Sequence, residues 1–215
     1  TFRMRYKHII WDWNGTLLDD RWLCVEGINQ ALVKRDLLPI SEDRYRKIFT
    51  FPVKEYYKKL GFDFESEPFE VAGDEFVDYY GKNFHKAKLQ KGTRTLLSEI
   101  QSESISQSIL SAAMESYLKS WVYAHKLEIY FSEIVGIDNQ YANGKIQEGI
   151  KLINKLPFKK KDIAMIGDTN HDSDVAEELN INCILINHGH VDSKRLKKTG
   201  RTVVSNLMDI INHIM

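Results

Sequence analysis

The chain has 215 residues, enough for one α/β domain with an insertion but short of two full domains. Hydrophobic residues make up 43%, ample for a buried core, and thirty basic residues cancel thirty acidic ones, so the charge carries no footprint for nucleic acid or an anionic membrane. Cys24 and Cys183 stand far apart, which argues against a disulfide framework or zinc site, no apolar run reaches the roughly 18 residues of a membrane helix, and the first residues lack the apolar stretch of a signal peptide.

A cytoplasmic protein, monomeric or weakly dimeric, is the expectation. The first apolar run is "KHIIWDW" at 7–13, a strand pattern buried on both faces. Residues 19–88 then break into aromatic, charged segments with helical spacing: "RWLCVEGINQALVKRD", "EDRYRKIF", "VKEYYKKL" and "FEVAGDEFVDYYGKNFHK", punctuated by Pro39, Gly61 and Pro68. No strand is read there.

Beyond residue 88, strands and helices alternate. "TRTLLSEI" is helical, "SQSILSA" (106–112) a strand, "ESYLKSWVYAHKL" a helix and "SEIVGI" (132–137) a weaker strand. "EGIKLINKL", "DIAMIGD" (162–168), "DSDVAEEL" and "NCILIN" (182–187) continue the alternation, and "RTVVSNLMDIINHIM" closes it with an edge strand and a helix. This rhythm predicts a Rossmann-like α/β core with a parallel sheet, built from residues 1–18 and 89–215, and a helical cap domain, 19–88, inserted after the first strand.

Ligands of open α/β sheets bind beyond the carboxyl ends of the strands. The polar residues there are Asp12 and Asn14 after the first strand, Ser111 at the end of the second, and Asp168 and Asp172 after "IAMIG"; Lys145 opens the preceding helical segment. Carboxylates, a hydroxyl and an ammonium on one rim suit a divalent cation together with a phosphoryl group. Ser106 and Ser108 compete with Ser111, Lys151 and Lys155 compete with Lys145, and Asp174 reads as a surface acid in a helix's first turn.

With "DWNGTLLDD", "SILSA", Lys145 in "NGKIQEG" and "GDTNHD" in this order, the chain resembles the haloacid dehalogenase superfamily, in its phosphoglycolate phosphatase-like branch with a helical cap. The resemblance implies a Mg²⁺-dependent phosphohydrolase of a small phosphorylated metabolite. It implies Asp12 as nucleophile, forming an aspartyl-phosphate. It places Asp12, the Asn14 backbone carbonyl and Asp168 on the metal, with Asp172 as a further ligand or anchor. Ser111 would donate to a phosphoryl oxygen, Lys145 would neutralise it, Gly15 would permit the turn and Thr16 would brace the loop.

Asn14 departs from the pattern, because most such phosphatases carry an acid/base aspartate there. An amide cannot move a proton at neutral pH. Four explanations stand open: a substrate with a good leaving group such as an acyl phosphate, a proton carrier elsewhere such as His171, an asparagine introduced to trap a complex, or a weakly active or non-catalytic protein that binds phosphorylated ligands. "DWNGT" also invites comparison with phosphonatases, C–P hydrolases that use a cap lysine; Lys34, Lys47, Lys54, Lys58 and Lys59 are present, and a dehalogenase is possible on the fold. In the cap, Arg44, Arg46 and Lys54 could meet an anionic substrate tail or pair with Glu42, Asp43 and Glu55, and Tyr56, Tyr57, Phe62, Phe64 and Phe76 read as the cap's own core. His188 and His190 in "NHGHVD" read as residues of a loop near the rim, since Mg²⁺ does not prefer imidazole.

Overall fold

"HIIW" folds as strand β1 (His8–Trp11), with every residue buried, because it is a central strand of a sheet covered on both faces. The structure is a computed structural model describing residues 5–141 and 144–215. Strand β2 (Leu18–Asp19) precedes helices α1 (Arg21–Val33), α2 (Glu42–Ile48), α3 (Val53–Lys59) and α4 (Phe69–Asn83), and β3 (Lys88–Leu89) follows them. The alternating part then runs α5 (Thr93–Ser102), β4 (Ser106–Met114), α6 (Glu115–Ala124), β5 (Glu133–Ile137), α7 (Lys145–Lys155), β6 (Ile163–Gly167), α8 (Asn170–Leu179), β7 (Asn182–Ile186), α9 (Ser193–Lys197), β8 (Thr202–Val204) and α10 (Ile211–Ile214).

Six strands form one parallel sheet in the order β5-β4-β1-β6-β7-β8. The fold is the Rossmann-like α/β architecture expected from the sequence. Period-two alternation divides the strands between two cores. Ile9, Trp11, Ile109 and Ile166 face α5 and the helical segment, whereas Ile10, Leu110, Met165 and Leu185 face α7 and α8.

The segment read as strand-free is bounded by a two-residue antiparallel ribbon, Leu18 opposite Leu89 and Asp19 opposite Lys88. Two residues carry no periodicity, so the ribbon left no sequence signal. It brings the start and end of the helical segment together beside β1. That segment docks on the loop after β7 through reciprocal arginines. Arg46 donates to the carbonyls of Asn187 and Val191, while Arg195 donates to the carbonyls of Arg46 at 3.0 Å and Phe49 at 2.7 Å. Arg21 adds bonds to His188 O at 2.8 Å and Gly189 O at 3.1 Å.

Arg46 is therefore a clasp between cap and core. Arg44 and Lys54 are exposed, and the acids expected to pair with these three cations bind others: Glu42 meets Arg21, Asp43 meets Lys47, and Glu55 meets Lys58. Among the described residues, no helix is long and apolar enough to cross a membrane.

Candidate active site

The carboxyl ends of β1, β4 and β6 bring Asp12, Ser111 and Asp168 to one rim, and Lys145 reaches it from the first turn of α7. Gly144, with φ of +120°, ends the preceding loop and lets α7 start at Lys145, three residues earlier than the apolar pattern marked. The Lys145 ammonium donates to Asp12 Oδ1 and to Asp172 Oδ1, both at 2.7 Å. Lys151 is exposed and pairs with Glu148, Lys155 is exposed, and Ser106 and Ser108 both bind the ring of His8, so none of these competitors reaches the rim. Ser111 is buried, lines the cavity, and accepts from Ala113 N at 3.1 Å. Asp174 is exposed.

"GDTNHD" sets the acidic loop. Thr169 and Asp172 form a capping box on α8, which satisfies the helix's first N–H groups. Asp172 Oδ2 accepts from Asp168 N, Thr169 N and Thr169 Oγ1 at 3.1, 3.0 and 2.8 Å. Thr16 Oγ1 donates to Asp168 Oδ1 at 2.9 Å and Asp12 Oδ2 at 3.3 Å, tying the first loop to the last. Gly15 has φ of +76°, and a Cβ there would fall 2.4 Å from Asp168 Oδ2. At Gly189 the same atom would be 2.0 Å from that oxygen, so both loops pass too close for any side chain.

Asp12, Asp168 and Asp172 place carboxylate oxygens within 4.8 Å of one another, all buried. Burial raises Asp12 well above its ordinary carboxylate range, and Asp172 and Asp168 add to it against the pull of Lys145. Burial also raises Asp168. For Asp172, burial acts upward but Lys145 outweighs it and holds the group below its usual value. Burial would lower Lys145, and the two carboxylates more than reverse this. Three acids against one ammonium leave surplus negative charge on hard oxygen donors, which fits a divalent cation.

Sequence reasoning passed over a second buried cluster behind Asn14. The Asn14 amide donates to Asp20 Oδ2 at 2.8 Å and to the Tyr80 hydroxyl at 2.9 Å. Tyr80 donates to the same carboxylate oxygen at 2.7 Å, and Gly15 N donates to Asp20 Oδ1 at 2.8 Å. His190 Nε2 stands 3.2 Å from Asp20 Oδ1, its Nδ1 pairs with the Tyr45 hydroxyl at 2.8 Å, and its backbone N–H donates to Asp168 Oδ2 at 2.6 Å. Burial opposes a charge on His190, but Asp20, Asp168 and Asp12 raise it to about 9. Asp20 is held low: burial acts upward, and His190 overcomes it.

His190 lies in the loop after β7, as read from the sequence, but it is buried and bonded within the site rather than merely near it; His188 also turns inward, onto Thr16 O at 2.9 Å. "NHGHVD" follows a strand ending at the same rim, which was the available signal. His171, in contrast, stacks on Phe51 with ring centroids 4.7 Å apart. Burial, aided by Lys145, lowers it to about 4.

Above the rim lies a cavity of about 690 Å³ between cap and core, reaching Asp12, Asn14, Ser111 and Lys145. Its upper walls are mainly aromatic. Tyr56, Tyr57 and Phe76, expected in the cap's interior, contribute to this lining as well.

A Rossmann-like parallel sheet with this acidic rim beneath a helical cap places the chain among α/β proteins that carry a carboxylate site at the strand ends. The model of the haloacid dehalogenase-like hydrolase family matches residues 9–186, and the chain belongs to that family. Among relatives, tyrosine-protein kinase PtkA of Mycobacterium tuberculosis is 23% identical over 207 residues, covering 94% of this chain and 69% of the relative. A predicted phosphatase from Clostridium acetobutylicum superposes with a TM-score of 0.83 at 24% identity, over 97% of this chain and 98% of that one. A predicted phosphoglycolate phosphatase from Haemophilus somnus 129PT gives 0.81 at 16% identity, over 98% and 99%. At these identities the solved structures show a shared fold.

Proposed function

We propose that the chain is a Mg²⁺-dependent phosphohydrolase that cleaves a small phosphorylated metabolite through an aspartyl-phosphate on Asp12. The observation that carries this is the contact of Asp12 with Lys145 at 2.7 Å, in a buried acidic cluster that opens into the cavity. Asp12, Asp168 and the Asn14 backbone carbonyl would hold the ion, while Asp172, with both oxygens engaged, anchors Lys145 and the loop. When bound, Mg²⁺ neutralises the charge that otherwise keeps a carboxylate from a phosphoryl group. One Asp12 oxygen attacks phosphorus as the P–O bond to the metabolite breaks and the electron pair leaves on the metabolite's oxygen; Lys145 and Ser111 balance charge on the phosphoryl oxygens, and Thr16 fixes Asp12 against Asp168. Water then releases phosphate from the acyl phosphate and restores Asp12.

Purified protein tested with acetyl phosphate and p-nitrophenyl phosphate, with and without Mg²⁺, checks this reading. Phosphate release should require the ion and vanish in Asp12→Asn, and quenched reactions should carry a hydroxylamine-sensitive phosphoryl group on the Asp12 peptide. A chain that binds phosphate but releases none from either compound is instead the non-catalytic binder that Asn14 raises as a second reading. Phosphate release from an aldehyde-bearing phosphonate alone would point to the C–P hydrolase.

A further inference from the structure

Two observations about the site, independent of one another, constrain what leaves with the phosphoryl-ester oxygen. The first is the proton deficit at Asn14. Its amide is fixed by Asp20 and Tyr80, His190 has both ring nitrogens engaged by Asp20 and Tyr45, and His171 is stacked on Phe51 outside the cavity lining, so none of the three is presented to a leaving alkoxide. The second is the chemistry of the cavity. Phe49, Phe51, Tyr56, Phe69, Phe76 and Trp121 line it, a wall suited to a flat apolar body.

Among the described residues the only lysines or arginines lining the cavity are Lys82 and Lys145. Lys82 is paired with Asp78 and Lys145 with Asp12 and Asp172. The remaining charged groups of the upper wall are acidic: Asp74, which accepts from Gln140 and Tyr141, and Asp78. His190 also lines the cavity, with both ring nitrogens engaged by Asp20 and Tyr45, so among the described residues a substrate with a second anionic group would meet carboxylates and no unpaired lysine, arginine or histidine.

We infer that this site, on the phosphohydrolase reading above, takes aryl phosphates: monoesters of a phenol-like hydroxyl on an apolar ring, without a second anionic tail. A phenol has a pKa of about 10, whereas an alkoxide approaches the basicity of hydroxide, roughly 15.7 for its conjugate acid. The aryl oxide can therefore leave without an acid catalyst. An Asp12 oxygen bonds to phosphorus as the P–O(aryl) bond breaks; the electron pair leaves on the aryl oxide, which takes its proton from solvent. Water then attacks phosphorus, the P–O(Asp12) pair returns to the carboxylate, and the water's proton passes to the released phosphate or to solvent.

The test compares phenyl phosphate with benzyl phosphate, which carries the same ring on an alkyl oxygen, and with 2-phosphoglycolate and acetyl phosphate, all with Mg²⁺. Phenyl phosphate should exceed benzyl phosphate in kcat/KM by at least about 10²-fold, the lower end of what a general acid contributes. Ring-substituted phenyl phosphates should speed up steeply as the phenol becomes more acidic. Asn14→Asp should raise benzyl phosphate turnover more than phenyl phosphate turnover, and Phe51→Ala should raise KM for phenyl phosphate more than for acetyl phosphate. Equal turnover of the phenyl and benzyl esters, or preference for 2-phosphoglycolate, overturns the aryl assignment while leaving a phosphohydrolase. No release from any of the four compounds overturns the hydrolase reading and this inference with it.

Discussion

The Asn14 side-chain amide donates to the Asp20 carboxylate at 2.8 Å, and this bond accounts for an amide at that place. Asp20 also accepts from Tyr80 and Gly15 and faces His190, so its charge is committed. An aspartate at 14 would point a second carboxylate at a buried first one. Asn14→Asp should therefore lower stability by about 1–3 kcal/mol at neutral pH, the range for losing a buried hydrogen bond and leaving its partner unmet. Adding Asp20→Asn returns a donor to the pair, so the double variant should lose less than the sum of the two singles. Urea denaturation of the four proteins measures the coupling, and strict additivity would show that the contact is incidental.

The surroundings of Asn14 show what the sequence could and could not reveal. β1 and β6 were readable because strands buried on both faces are continuous apolar runs, and their terminal acids then fell on one rim by topology. Asp20 and His190 lie 170 positions apart, and no local pattern joins them. Only the return of β7 beside β6 brings "NHGHVD" against "LLDD". The exchange between Arg46 and Arg195 was hidden for the same reason: surface arginine is the ordinary expectation, and its carbonyl partners exist only once the chain has folded.

On the proposed function, the cluster around Asp12 trades stability of the ion-free fold for chemistry. Three carboxylates lie within 4.8 Å and share one lysine. Asp12→Asn keeps an oxygen for Lys145 and removes one like charge, so the metal-free variant should be more stable than wild type by about 1–2 kcal/mol. Mg²⁺ should raise the melting temperature of wild type more than that of the variant. Thermal unfolding with EDTA and with Mg²⁺ checks both statements; a variant that melts below wild type in EDTA contradicts them.

Arg195 crosses from core to cap, with its guanidinium closing the carbonyls of Arg46 and Phe49 at the end of α2. Bonds from a charged donor are worth about 1.5–3 kcal/mol. Arg195→Ala should loosen the cap without touching the rim. Amides of α2 should then exchange hydrogen faster while those of β1 and β6 keep their protection, and KM for a cavity-filling ester should rise more than kcat falls. Uniform loss of protection across the sheet would instead mean that Arg195 supports the whole fold.

His8 provides a pH signature separate from the site. Its ring is buried between Ser106 Oγ at 2.6 Å and Ser108 Oγ at 2.8 Å, and burial lowers it to about 4. The unfolded chain takes this proton near pH 6.5, whereas the folded chain refuses it until near pH 4. The neutral ring's contribution is therefore complete above pH 6.5 and is lost as pH falls through that window, to a total of about 3 kcal/mol. His8→Gln can bond both serines but does not titrate. Between pH 7 and pH 4.5, wild type should lose more stability in urea than the variant, with the other histidines cancelling in the difference. Equal losses in the two proteins would place the acid sensitivity elsewhere.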